Sequence, residues 1–252
     1  MGTWSTHGRG RYAPSAPGEA DVVLLPAGFR QDGTVPGIVY CHGAAGDALS
    51  VSDPIQRAGE WALLHGLAEH YPIVAADLGG PFTFGNATAL ARIEDARRYL
   101  QDTWGARPGP VAVVGVSMGG VGALNYAAAH RDHVSAAVGV VPVTDLNELY
   151  QGHSGIYTPY IAAAWGLAVG QALPLLANPV NHVLELLGLP YQAWYASDDD
   201  VVPATTVRNL LGLLGLTGEG HDVGRLGHTQ AAIGAASVPA ILTFLDAHLT
   251  IG

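Results

Sequence analysis

The 252-residue sequence contains no lysine; its 11 basic residues are all arginines, set against 21 acidic ones for a formal net charge of −10. A basic face is the usual footprint of nucleic-acid binding and of attraction to anionic membranes, so neither is expected as a partner. Cysteine occurs once, as Cys41, which excludes an intrachain disulfide framework and a multi-cysteine zinc site. Charged residues make up only 13% and hydrophobic ones 49%, the opposite of a chain kept unfolded by polarity. Long apolar runs are missing too. The most apolar stretch, Ile161 to Ala177, is too short for a membrane span and carries Gln171 and Pro174. Met1 to Ala20 is polar, with no apolar core of a secretory signal. Met1-Gly2 followed by Thr6 is only a short match to a myristoylation pattern. These absences predict a soluble protein, cytoplasmic by default.

What is present is alternation. Short β-branched runs at Asp21–Leu25, Gly37–Cys41, Pro72–Ala76, Pro110–Val114, Val134–Val141 and Tyr191–Ala196 read as strands, with a weaker one at His221–Leu226. Between them lie helical stretches. Pro54–His70 has Asp53 as its cap, Ala87–Trp104 carries Leu90, Ile93, Ala96 and Leu100 on one face, and Gly120–His130, Val201–Leu216 and Thr229–Leu249 follow. Such alternation predicts one α/β domain over 1–252, a mostly parallel central sheet flanked by helices. The pattern is interrupted at about 143–190 by apolar, helix-like sequence, read as a small cap inserted over the sheet.

The segment Gly115-Val116-Ser117-Met118-Gly119 follows a buried strand and precedes a helix. With 34 glycines in the chain, Gly-x-Ser-x-Gly alone is a weak signal. Its placement is the strong one, because a nucleophile raised on a sharp strand-to-helix turn needs small residues two before and two after it. Gly152-His153-Ser154-Gly155 looks like half of that motif but lacks both the second spaced glycine and a preceding strand. The Ser117 turn, with the Ser-Met-Gly-Gly-x-Gly-Ala-Leu run, resembles the α/β-hydrolase family and, within this turn, esterase D-type carboxylesterases.

The resemblance implies a serine esterase using a Ser-His-Asp triad, with a thioesterase, amidase, C–C hydrolase or cofactor-free perhydrolase on the same triad, or a non-catalytic binding member of the fold, as the alternatives. Tyr40-Cys41-His42-Gly43-Ala44-Ala45-Gly46 is similar to the family's oxyanion loop, which would make the N–H groups of Ala44 and Met118 the oxyanion donors, with His42 orienting the loop. The acid is expected after the serine, at the end of a later strand. There Ser197-Asp198-Asp199-Asp200-Val201-Val202-Pro203 aligns Asp199 with the triad acid, and Asp200 and Asp198 are its neighbours one slip away. The base is expected just before the last helix, at His228, with His221 as the alternative. The chain order Ser117, Asp199, His228 is the order of the family.

No cofactor or metal is expected. Three adjacent aspartates lack the spacing of a calcium loop, and His130 with His133, or His65 with His70, lack a third ligand nearby. Tyr157, Tyr160 and Trp165 in the insertion either pack it down or line an apolar pocket for an acyl or aromatic substrate. No cation in the insertion offers a clamp for an anionic one. The expected partner is a small-molecule ester.

Overall fold

The computed structural model describes residues 6–10, 21–152 and 155–249. Of the stretch Met1 to Ala20, which bears the signal and lipidation readings, residues 1–5 and 11–20 lie outside the described residues, as do His153-Ser154 of the half-motif. Among the described residues eight strands form one sheet: β1 (Thr6–Gly10), β2 (Asp21–Leu24), β3 (Ile38–Cys41), β4 (Ile73–Ala76), β5 (Val111–Val116), β6 (Val134–Val140), β7 (Tyr191–Tyr195) and β8 (Gly220–Asp222), in the order β1-β2-β4-β3-β5-β6-β7-β8. Pairs β1/β2 and β2/β4 are antiparallel; all others are parallel.

Side chains on successive strand residues point to opposite faces, so strands β2 to β7 feed two cores. Val39, Cys41, Val111 and Val113 pack on one face, with Ile93 and Leu100 of α2 (Ala87–Asp102) and Leu124 of α3 (Met118–Ala129). Ile38, Tyr40, Ala112 and Val114 pack on the other, with Leu63, Leu64 and Leu67 of α1 (Ala58–Leu67). Cover on both faces is why these strands read as unbroken apolar runs.

The segment between β6 and β7 is a chain of short pieces: α4 (Leu146–Gln151), α5 (Thr158–Ala164), two 3-10 turns and α6 (Val183–Leu186). Amides hold it down. Asn86, the cap of α2, donates to the Ala164 carbonyl (2.8 Å), Asn125 of α3 to that of Ala177 (3.1 Å), and buried Asn178 accepts from Leu146 N–H (2.8 Å).

Two helices differ from their sequence reading. The Pro54–His70 helix begins only at Ala58, because the Asp53 carboxylate caps an earlier turn through Ile55 and Gln56 N–H (3.0 and 2.9 Å). The closing helix is two, α8 (Gln230–Gly234) and α9 (Val238–His248), after α7 (Ala204–Leu213) and β8. Ser237 caps α9 through Ala240 N–H, and Pro239 in its first turn has no N–H to carry a helix through from α8.

Candidate active site

The parallel register sets the strand ends side by side: Cys41 pairs with Gly115, Val116 with Val140, Val140 with Trp194, and Tyr195 with Asp222. The loops leaving these ends therefore share one edge of the sheet, where open α/β sheets place ligands. Ser117 follows β5, residues 42–46 follow β3, Asp199 follows β7, and His228 follows β8.

Ser117 sits at φ 51°, ψ −117°, a sparsely populated conformation costing on the order of 1–3 kcal/mol. Its surroundings fix it there. Its N–H donates to the Val140 carbonyl (3.1 Å), and its own carbonyl accepts from Gly120 and Val143 N–H (2.9 and 3.0 Å). A Cβ on Gly119 would lie 2.0 Å from the Cys41 carbonyl oxygen, and one on Gly115 would lie 2.5 Å from that of Gly119. Only glycine lets β5, α3 and the loop after β3 approach so closely.

Ser117 Oγ lies 2.7 Å from His228 Nε2, and His228 Nδ1 lies 2.7 Å from Asp199 Oδ2. An ionised carboxylate can only accept, so the imidazole proton is on Nδ1 and Nε2 is left to accept from the serine hydroxyl. The other Asp199 oxygen accepts from Val201 and Val202 N–H (2.9 and 2.7 Å). Asp199 is buried, whereas its neighbours are exposed. Asp198 accepts from Gly227 N–H (2.8 Å), steadying the loop that carries His228. His221 lies in β8 with its ring stacked on Trp194, 4.3 Å between centroids, and the structure does not bring it to Ser117.

Ala44 is beside Ser117, since a Cβ on the preceding Gly43 would be 3.5 Å from the Ser117 Cβ. Met118 is the first residue of α3, whose opening N–H groups have no intrahelical acceptor. His42 is buried with Nδ1–H donating to the Gly43 carbonyl (2.9 Å), and burial lowers its pKa below the usual histidine value. It is thus a neutral part of the loop.

A cavity of about 220 Å³ opens on Ser117 and His228, lined also by Ala44, Tyr157, Arg57, Glu60 and Gln230. Of the aromatic candidates, Tyr157 reaches it. Tyr160 instead stacks on Phe82 at 4.2 Å, and Trp165 Nε1–H donates to the Phe84 carbonyl (3.3 Å). The cavity is more polar than the insertion's composition suggests, and it does have a cation nearby, Arg57. The sequence reading missed Arg57, Glu60 and Gln230. Only Gln230 carried a signal, its place two residues after His228. Among the described residues no group of three or more His, Cys, Asp or Glu is placed to hold a metal, and no helix is long and apolar enough to cross a membrane.

Residues 36–155 match the family described as alpha/beta hydrolase fold, a range that takes in the residue 42–46 loop and Ser117. None of the curated proteins matches the chain. Among solved structures, it is similar to FphF, a fluorophosphonate-binding serine hydrolase of Staphylococcus aureus (TM-score 0.67, 16% identity, 90% of this chain and 92% of that one). It is also similar to esterase B of Lactobacillus rhamnosis inhibited by a tributyrin phosphonate (TM-score 0.71, 18% identity, 98% and 86%). A truncated carbohydrate esterase from gut microbiota matches with TM-score 0.74 at 14% identity, covering 98% and 96%. Identities this low speak to architecture alone, and by that architecture the chain is an α/β-hydrolase-fold protein.

Proposed function

We propose that the protein is a serine hydrolase that cleaves carboxylic esters through an acyl-enzyme. The observation that carries this reading is the unbroken hydrogen-bonded chain from Ser117 Oγ through His228 to Asp199, on a strained turn that opens into a cavity. Ser117 Oγ attacks the ester carbonyl while His228 Nε2 takes its proton and then returns it to the leaving alcohol. Asp199 holds the productive tautomer and stabilises the imidazolium. The N–H groups of Ala44 and Met118 receive the developing oxyanion, a contribution of roughly 3–4 kcal/mol for each donor. Water, activated by the same histidine, then releases the acid. Space for about 220 Å³ beside Ser117 favours a short acyl group. The likeness to esterase B inhibited by a tributyrin phosphonate is in keeping with that choice.

A panel of p-nitrophenyl esters from acetate to decanoate tests the reading, with Ser117→Ala as the blank. Short chains are expected to turn over fastest, and a fluorophosphonate probe to label Ser117 stoichiometrically. Labelling that survives Ser117→Ala, or no ester turnover that depends on Ser117, overturns it.

A further inference from the structure

Resting on the ester-hydrolase reading, we infer that Arg57 is a positioning residue for the reaction, a brace that fixes the oxyanion loop against a buried carboxylate. Glu60, on the first turn of α1, is 1% exposed. A carboxylate so buried is costly unless its lone pairs are occupied, and here they are. It accepts from Tyr40 Oη (2.6 Å), Gln230 Nε2 (3.1 Å) and Arg57 Nη1 (3.2 Å). The second Nη of Arg57 donates to the Ala45 carbonyl (2.9 Å).

That carbonyl belongs to the residue after the proposed oxyanion donor, and Ala45 is not in a relaxed conformation. It is a non-glycine residue at φ +59°, with its N–H tied to the Pro81 carbonyl (2.9 Å). A left-handed alanine persists only if both of its peptide groups are held. Pro81 holds one and Arg57 the other. A planar guanidinium suits the task, because its fork can reach a carboxylate and a carbonyl at once in fixed geometry.

The opposite end of the assembly reaches the base. Gln230 Oε1 accepts from Gly59 and Glu60 N–H (3.0 and 3.2 Å), while its Nε2 goes to Glu60, so its amide is bound from both sides. Gln230 lies two residues after His228. Glu60 thus sits between the loop that offers Ala44 N–H and the loop that carries His228, and Arg57 is its link to the first. An ordinary i, i+3 ion pair on a helix surface would have neither the carbonyl partner twelve residues away nor a place in the lining of the catalytic cavity.

The test compares wild type, Arg57→Met, Arg57→Lys and Ser117→Ala as the full chain. It measures p-nitrophenyl acetate kinetics, melting temperature and affinity for a trifluoromethyl ketone, whose hemiketal oxygen occupies the oxyanion position. Arg57→Met is expected to lower kcat about 10- to 100-fold with KM within about 3-fold, and to weaken ketone binding by a factor matching the loss in kcat/KM. Arg57→Lys keeps a charge beside Glu60 and hence the melting temperature, but a single ammonium cannot span both acceptors. It should lose at least about 3-fold in kcat with the same parallel loss of ketone affinity. Wild-type kcat in either variant, or a loss of rate with ketone affinity unchanged, overturns the brace. A wild-type protein whose ester turnover and ketone binding are unaffected by Ser117→Ala overturns the hydrolase reading and the brace with it.

Discussion

Replacing Asp199 by asparagine changes one atom's hydrogen-bonding sense in a site whose geometry otherwise stays put. Asp199 Oδ1 accepts from two backbone N–H groups, and the amide oxygen of asparagine can keep both contacts. That fixes the flip state, so the new NH2 must face His228 Nδ1, where the carboxylate oxygen stood 2.7 Å away. An NH2 can only donate, so Nδ1 becomes the acceptor and the ring proton moves to Nε2, the nitrogen facing Ser117. The imidazole then holds the wrong tautomer to accept the serine proton and loses its counter-charge. If Asp199 is the acid of a triad, as proposed, its loss in this way costs on the order of 10⁴ in kcat, or about 5.5 kcal/mol at 1.36 kcal/mol per decade. Folding should barely notice, because both backbone contacts persist. Stopped-assay kinetics on p-nitrophenyl acetate alongside thermal denaturation would measure both. Asp199→Asn retaining more than about a tenth of kcat while Asp200→Asn or Asp198→Asn collapses would refute the reasoning.

Two further outcomes follow from groups away from the triad. Burial pushes the Cys41 thiol up to about 12, so the native protein should show no thiol to Ellman's reagent at pH 8 and one after denaturation, with reactivity tracking the unfolding transition; rapid stoichiometric reaction of folded protein would contradict the placement of β3. Burial works against the ionised form of Glu94, but hydrogen bonds from Arg97 and Tyr126, with the charge of Arg97, outweigh it and hold the carboxyl well below the usual range. A depressed folded pKa gives stability that is present above the unfolded value near 4.3 and is lost as pH falls below it. Glu94→Gln should therefore melt lower than wild type at pH 7, with the gap closing toward pH 3; a gap that stays constant with pH would refute the assignment.

The sequence made the sheet and the serine turn legible because both are written locally: β-branched runs buried on two faces, and glycines at fixed offsets around Ser117. Chain order then led to Asp199 and His228, and the structure brings His228 within hydrogen-bonding reach of Ser117 and Asp199 within reach of His228. What stayed hidden depends on contacts distant in sequence. Nothing near Arg57 announces that its guanidinium reaches Ala45, and nothing near Glu60 tells that Tyr40 and Gln230 close around it. The break between α8 and α9 was readable from Ser237 and Pro239, yet the apolar periodicity across them masked it. The insertion's aromatic content suggested a pocket lining, but π-stacking and an indole N–H bond turn Tyr160 and Trp165 toward Phe82 and Phe84.

The tight approach around Ser117 has a consequence for how the protein can change. What Gly119 and Gly115 press against is main chain: the carbonyls of Cys41 and of Gly119 itself. An oversized side chain elsewhere in a core can be accommodated by trimming its neighbour, so the damage has suppressors. A peptide carbonyl cannot be trimmed. Mutational paths that pass through either glycine therefore have no compensating second step nearby, and diversification of the protein, natural or in a laboratory library, is steered away from the turn and toward the loops and the insertion that surround it.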